Sequence, residues 1–285
     1  MEIAEHIDAL RHQGEQMADA AERAGLDAPV PPCSPWLVKD LLRHTGYVHR
    51  WAAQHITDRP GQILDGPPEE EILAGGADDA ELLAWFRAGH AALAQTLATA
   101  DPALDCATFM PAPSPLAFWA RRQAHETAIH RADAESASGT TPDYQPAFAA
   151  DGIDELIMGF GRRRKYAPAA GPDPKTADGA RLHVVAADTG DAWLVEAHEG
   201  RLQPRRVTVP DTGDAEDAGC TLTGPASGVY LYLWNRAGAA RTGSARADAA
   251  RAGSARAGAA RADITVTGDP GVLSAWQASV RVRWN

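Results

Sequence analysis

The stretch Arg121-Arg122-Gln123-Ala124-His125-Glu126-Thr127-Ala128-Ile129-His130-Arg131-Ala132-Asp133 decides how the first half of this chain is read. Ala, Glu, Gln and Arg favour helix and neither Gly nor Pro interrupts the run, so the pattern predicts one helix from about Pro115 to Glu135. Glu126 and His130 stand four residues apart and project from one face, one turn apart. Trp119, seven before Glu126, shares that face. A carboxylate beside an imidazole is two-thirds of a common metal site, and a third donor must come from elsewhere in the chain.

Upstream, Ile3, His6, Leu10, Met17, Ala21 and Ala24 recur at helical steps, predicting a helix over 2–25 that Gly25 ends. Ser34 is a good N-cap and Pro35 suits the first helical position, so a second helix is expected from Trp36 to about Thr57, stopped by Asp58-Arg59-Pro60-Gly61. Its inner stripe is Leu37, Leu41, His44, Val48, Trp51 and His55. His44 thus sits where a bundle would carry a core leucine. A lone histidine there is more often a satisfied core group than a ligand, and His55, near the helix end, reads as solvated. Residues 61–78 read as loop. A third helix is expected over about 79–99, with Leu82, Phe86, Leu93 and Leu97 inward, before a proline-rich connector at 101–115. Four amphipathic helices make a four-helix bundle, an architecture that holds metal sites between facing helices.

Composition then shifts. Ser136 to Pro146 reads as a linker between a bundle in residues 1–140 and an α+β domain in 148–285. A helix over about 148–164 ends in Arg162-Arg163-Arg164-Lys165, read as a solvated helix end. Leu182–Ala186 and Ala192–Glu196 flank Asp188-Thr189-Gly190-Asp191, a hairpin signal. Val207–Val209, Cys220–Thr223 and Asp263–Gly268 are further strands, and Ser227–Asn235 and Val272–Val280 are helices. Residues 241–260 are two copies of an Arg/Ala/Gly-rich unit with no large apolar residue, a low-complexity insertion that cannot build a core.

The chain has 285 residues with 45% hydrophobic content and a formal net charge of −11, which argues against a general nucleic-acid binder. Neither a run of eighteen apolar residues nor an apolar signal core near Met1 is found, so no membrane association and a cytoplasmic location are expected. Cys33, Cys106 and Cys220 form neither a zinc-ribbon nor a CxxC pair, which suits a reducing compartment. A monomer or homodimer acting on small molecules fits these bounds.

Taken together, His44, Glu126 and His130 offer two imidazoles and a carboxylate, a donor set for zinc or another borderline divalent ion that leaves positions open for chemistry. Glu-x-x-x-His also arises by chance as a surface pair, so spacing alone leaves both readings open. Around the set, Asp133 is three after His130, placed either to orient its imidazole or to pair with Arg131 or Arg122. His125 projects about 100° away from Glu126. His6 is either an inner-face group or an extra ligand. Cys33, before a helix start, reads as a small buried residue rather than a reactive thiol.

The segment Cys33-Ser34-Pro35-Trp36-Leu37-Val38-Lys39-Asp40-Leu41-Leu42-Arg43-His44 resembles the C-P-x-W-x-V-x-D-L-x-x-H opening of the mycothiol-dependent maleylpyruvate isomerase family, and Arg122 to Asp133 is similar to its R-x-x-H-E-x-x-x-H-R-x-D. Leu231-Tyr232-Leu233-Trp234-Asn235-Arg236 is more loosely similar to its L-x-L-W-G-R, and Thr267-Gly268-Asp269 to its x-G-D. The resemblance implies a DinB/YfiT-like four-helix bundle followed by a small sterol-carrier-protein-like α+β domain. It implies a divalent metal, typically zinc, on His44, Glu126 and His130, with mycothiol as the thiol cosubstrate. The implied activity is that of a transferase or isomerase adding a thiolate to a small electrophile, with Arg236 as the clamp for a substrate carboxylate. Two departures, Asn235 in place of Gly and the insertion 241–260, lie beside Arg236. A metal-dependent hydrolase using bound water and a non-catalytic metal-stabilised binding protein remain as rival readings.

Overall fold

The computed structural model describes residues 1–163, 178–208, 218–236, 241–242 and 264–280. The chain divides into two compact units, separated in sequence between Pro142 and Asp143. The first is helical: α1 (Ile3–Ala24), α2 (Val38–Asp58), a short α3 (Glu69–Ala74), α4 (Leu82–Thr99) and α5 (Pro115–Ala137). The long helices pack chiefly as α1 on α5 and α2 on α4, joined by α1–α4 and α2–α5 contacts. Leu10, Met17, Leu41, Leu42, Leu82, Phe86 and Leu93 are fully buried between them. Burial on this scale supplies the driving force, at about 25 cal/mol per Å² of apolar surface. Gly14 on α1 and Gly46 on α2 let the His90 and Trp85 rings of α4 lie against helix backbone, where a Cβ would collide with either ring.

Local signals start and stop these helices, with informative exceptions. Gly25 ends α1 at a φ of 85°, and Ser114 Oγ accepts from Ala117 N–H at 3.1 Å at the start of α5. The second helix begins at Val38 and not at Trp36. Pro31–Cys33 form a single 3-10 turn, and Val30 N–H donates to Trp36 C=O at 2.9 Å, so Trp36 and Leu37 are held extended against residues 29–30. The cap role expected of Ser34 passes to Asp40, whose carboxylate accepts from Leu37 N–H at 2.9 Å. Residues 61–78, expected to be loop throughout, contain α3; three glutamates in its first turn favour the positive end of even a short helix.

The second unit is mixed α+β. It opens with α6 (Pro146–Asp154), which continues as a π-type turn over Glu155–Phe160 and a 3-10 turn over Gly161–Arg163, where a single α-helix over 148–164 was expected. The sheet comprises β1 (Arg181–Ala186), β2 (Asp191–His198), β3 (Arg201–Thr208), β4 (Cys220–Gly224), a two-residue β5 (Arg241–Thr242) and β6 (Thr265–Gly268), in the order β3-β2-β1-β4-β6-β5. β1 and β2 form the expected hairpin, β1 runs parallel to β4, and β4 pairs antiparallel with β6. β3 starts six residues before the expected Val207, because an edge strand pairs on one side only and tolerates Pro204 and an exposed face. Two helices, α7 (Ala226–Leu233) and α8 (Pro270–Ser279), complete the unit. Asp154 is held by Trp193 Nε1–H at 3.0 Å and Arg206 Nε–H at 2.7 Å. Of the expected insertion, Arg241 and Thr242 are strand; residues 243–260, like Arg164 and Lys165 of the basic run, lie outside the described residues.

Among the described residues no helix is long and apolar enough to cross a membrane.

Candidate metal centre

The site is built where α2 and α5 run antiparallel. Three contacts set their register. His55 lies against Trp119 with ring centroids 4.8 Å apart, His49 Nε2 and Thr127 Oγ share a hydrogen bond of 2.9 Å, and His44 reaches the Glu126–His130 pair. Helix α5 is buried on nearly every side, so its polar groups are cut off from bulk water and need other partners.

His44, Glu126 and His130 each offer a donor atom, all within 4.8 Å of one another and all buried. His130 Nε2 lies 3.1 Å from Glu126 Oε1, and His44 Nε2 lies 4.0 Å from the same oxygen. Two donors bound at tetrahedral angles to zinc stand about 3.3 Å apart, given metal–ligand distances near 2.0–2.1 Å. The two observed separations bracket that value, so the residues present fit a zinc-sized ion.

Neighbouring groups orient these side chains. His130 Nδ1–H donates to Asp133 Oδ2 at 2.9 Å, which turns Nε2 toward Glu126. This contact is the one by which Asp133 would orient the imidazole. Arg122 Nη2–H donates to Glu126 Oε2 at 2.9 Å, leaving Oε1 as the oxygen that faces the histidines. Arg122 is 1% exposed and Glu126 2%, so this is an ion pair inside the protein and not a surface one. Trp36 packs on the His44 ring at 4.9 Å, and the His44 and His130 rings meet edge-on at 5.2 Å.

Electrostatics separates the two imidazoles. Burial pushes His44 down to about 4, and the adjacent His130 adds to that. Burial opposes the charged forms of His130 and Glu126 too, but their mutual attraction and the Asp133 hydrogen bond win. His130 rises to about 9, and Glu126, helped by Arg122, falls to about 2. Near neutral pH the metal-free site therefore holds a neutral His44 beside a His130–Glu126 ion pair.

Other sequence expectations resolve differently. His55 is fully buried and not solvated: its Nδ1–H donates to Trp51 C=O at 2.8 Å and its Nε2 accepts from Leu64 N–H at 3.0 Å, tying the following loop onto α2. His125 points away from the set and is buried, with its ring 6.1 Å from that of His6, so His6 is not part of the His44 group. Cys33 is half-buried. Arg236 belongs to the second unit, is half-buried, and donates from Nη1 to Trp234 C=O at 2.8 Å. The departure at Asn235 is accommodated: its φ is 60°, a left-handed conformation that Gly and Asn both adopt after a helix. Asn235 N–H donates to Tyr232 C=O and Arg236 N–H to Leu231 C=O, the hydrogen-bond pattern of a Schellman stop. Two further groups on α5 belong beside these residues: Arg122, whose only sequence signal is a cation four residues before Glu126, and Gln123, whose only signal is its place on the same face.

Replacing Asp133 by Ala should free the His130 ring and lower zinc affinity about 10–100-fold, read by chelator competition, while the helical content holds. Unchanged affinity would show that the carboxylate does not set the ring.

Residues 7–135 match the family model described as the mycothiol maleylpyruvate isomerase N-terminal domain. Two solved structures share the fold, the mycothiol-dependent maleylpyruvate isomerase and a histidine-to-alanine mutant of it. They superpose with TM-scores of 0.57 and 0.58 at 13% identity, over 83% of this chain and 90% of theirs. None of the curated proteins matches the chain in sequence.

Proposed function

Because residues 7–135 of this chain match the model of the mycothiol maleylpyruvate isomerase N-terminal domain family, we propose that the protein is a metal- and mycothiol-dependent isomerase or transferase acting on a small electrophile. The observation that carries this reading is the buried meeting of His44, Glu126 and His130 from two helices. A divalent cation, zinc by the character of the donors, supplies when bound the charge that keeps a thiol as its thiolate near neutral pH. His44 and His130 would hold it through their imidazole nitrogens and Glu126 through Oε1. Arg122 keeps Oε2 engaged, Asp133 fixes the His130 ring, and Trp36 shields the His44 ring from water.

Cys106 and Cys220 are buried, and burial pushes both thiols up, away from the reactive thiolate form, which favours a sulfur supplied by the cosubstrate. The reaction class is addition of that sulfur to an activated carbon–carbon double bond. Rotation about the resulting single bond and departure of the sulfur give cis–trans isomerisation; retention gives thiol transfer. On this reading the first unit is a DinB/YfiT-like four-helix bundle of about residues 1–140, and 148–285 form a sterol-carrier-like domain.

Arg236 is proposed, on the strength of the sequence resemblance, as the clamp for a substrate carboxylate. Arg236→Lys keeps the charge but loses the two-pronged geometry, so KM for a carboxylate-bearing substrate should rise about tenfold or more with zinc content unchanged. An unaltered KM would remove the assignment.

The whole reading is tested by turnover of a maleyl-type substrate with and without mycothiol, in zinc-loaded protein, chelator-treated protein and His44→Ala. Activity that needs both metal and thiol supports it. Equal turnover in every arm removes it, and thiol-independent cleavage of an ester or amide points to a hydrolase instead.

A further inference from the structure

Gln123 is fully buried on α5, and neither its amide oxygen nor its amide nitrogen has a hydrogen-bond partner among the described residues. A buried carboxamide left unpaired costs free energy that an apolar side chain of the same size would not. Such a group is uncommon in a folded interior and calls for a partner that the described residues do not supply, be it a ligand, an ion or a water. Its place on the helix says what that is. Trp119, Gln123, Glu126 and His130 follow one another at steps of four, three and four residues, so they form one stripe. Gln123 lies one turn, about 4.5 Å of helix rise, from Glu126 and within roughly 20° of His130 about the axis.

Several polar side chains on the neighbouring turns make hydrogen bonds of their own. Glu126 is engaged by Arg122 and His130, and Thr127 by His49. On the other side, Trp119 Nε1–H donates to Ala107 C=O, Trp51 Nε1–H to Leu64 C=O, and both ring nitrogens of His55 are used. Gln123 is thus an unclaimed donor–acceptor pair between the three metal-site side chains and an apolar, internally satisfied aromatic patch.

We infer that Gln123 is a binding residue for the thiol cosubstrate, its carboxamide pairing with an amide next to the sulfur. This rests on the metal–thiol function proposed above. A carboxamide presents one donor face and one acceptor face, and the complementary group is another amide. In an N-acylcysteine amide, the class to which mycothiol belongs, amides flank the carbon that carries the CH2–S arm. Sulfur at the metal centre then puts an amide within about one helical turn, the spacing between Glu126 and Gln123. A simple thiol such as 2-mercaptoethanol lacks that amide and leaves Gln123 unpaired.

The test uses the cobalt-loaded full chain, with binding read from sulfur-to-cobalt charge-transfer absorption as N-acetylcysteinamide or 2-mercaptoethanol is added. The native protein should favour the amide-bearing thiol by about tenfold or more, the size of one or two buried hydrogen bonds. In Gln123→Leu, and in Gln123→Met as a second isosteric variant, that preference should vanish. Cobalt stoichiometry and 2-mercaptoethanol affinity should stay, and the ligand-free melting temperature should hold or rise. A preference that survives in both variants overturns the inference, and the amide then serves only packing or a buried water. Absence of charge transfer with either thiol in the native protein defeats the metal–thiol reading itself, which separates the two failures.

Discussion

On the proposed metal-binding reading, Glu126→Gln is expected to abolish zinc binding and, separately, to destabilise the helical unit. The two effects have different origins. Oε1 stands 3.1 Å from His130 Nε2 and 4.0 Å from His44 Nε2, so it is the oxygen that any ion shared with the histidines would meet. An amide at this position is a poor ligand for a borderline cation, and zinc content should fall from near one equivalent to near zero, with mycothiol-dependent turnover falling with it. The stability effect comes from Arg122, whose guanidinium is buried and donates to Oε2 at 2.9 Å. Removing the carboxylate leaves a buried cation beside a neutral amide, which costs about 3 kcal/mol. In a unit of this size that lowers the melting temperature by roughly 10 °C. The double variant Arg122→Met/Glu126→Gln removes both charges and should recover most of the stability but none of the zinc. Zinc retained by either variant, measured by elemental analysis after dialysis, would take Glu126 out of the ligand set.

The pairing of sites along α5 shows why part of this centre was legible in the sequence. Glu126, His130 and Asp133 are related by helical spacing alone, and a run free of Gly and Pro makes that spacing dependable. The meeting with His44 needed only an inner stripe on α2 and antiparallel packing, both consequences of amphipathic periodicity. What failed to show was tertiary in origin. His55 sits near a helix end, where local rules expose it, but Leu64 N–H returns from the next loop to its ring nitrogen and buries it. Ser34 and Pro35 carry a sound helix-start signal, overridden by the Val30–Trp36 hydrogen bond that keeps the chain extended for two more residues. In the second unit the strands with alternating apolar residues were readable, whereas β3 was read only at its end, Val207–Thr208, and the two-residue β5 not at all, since an edge strand pairs on one side only and tolerates polar residues and proline. Gln123 was invisible for a further reason: burial without a partner is a property of the assembled interior, and no pattern of neighbours in sequence reports it.

Zinc binding to the metal-free protein should release about one proton at pH 7, and the proton comes from His130. With its pKa raised to about 9, His130 is protonated at neutral pH, donating from Nδ1 to Asp133 and from Nε2 to Glu126. A cation can use Nε2 only after that proton leaves. His44, pushed down to about 4, is already neutral, and Glu126, held near 2, is already ionised, so neither adds to the release. Apparent zinc affinity should therefore climb about tenfold per pH unit between pH 5 and 8 and level off toward 9. The metal-free fold has the opposite slope over the upper part of that range. The raised His130 pKa contributes stability that is complete below its unfolded value of 6.5 and is lost as pH rises through 9, while the lowered His44 pKa removes stability as pH falls from 6.5 through 4. Metal-free protein should accordingly be most stable near pH 6.5, and zinc should protect it most strongly in mild alkali. Calorimetric titration in two buffers of different protonation enthalpy counts the protons directly. A count near zero at pH 7 would mean that His130 is neutral before the ion arrives, and that the Glu126–Asp133 pair does not hold its proton.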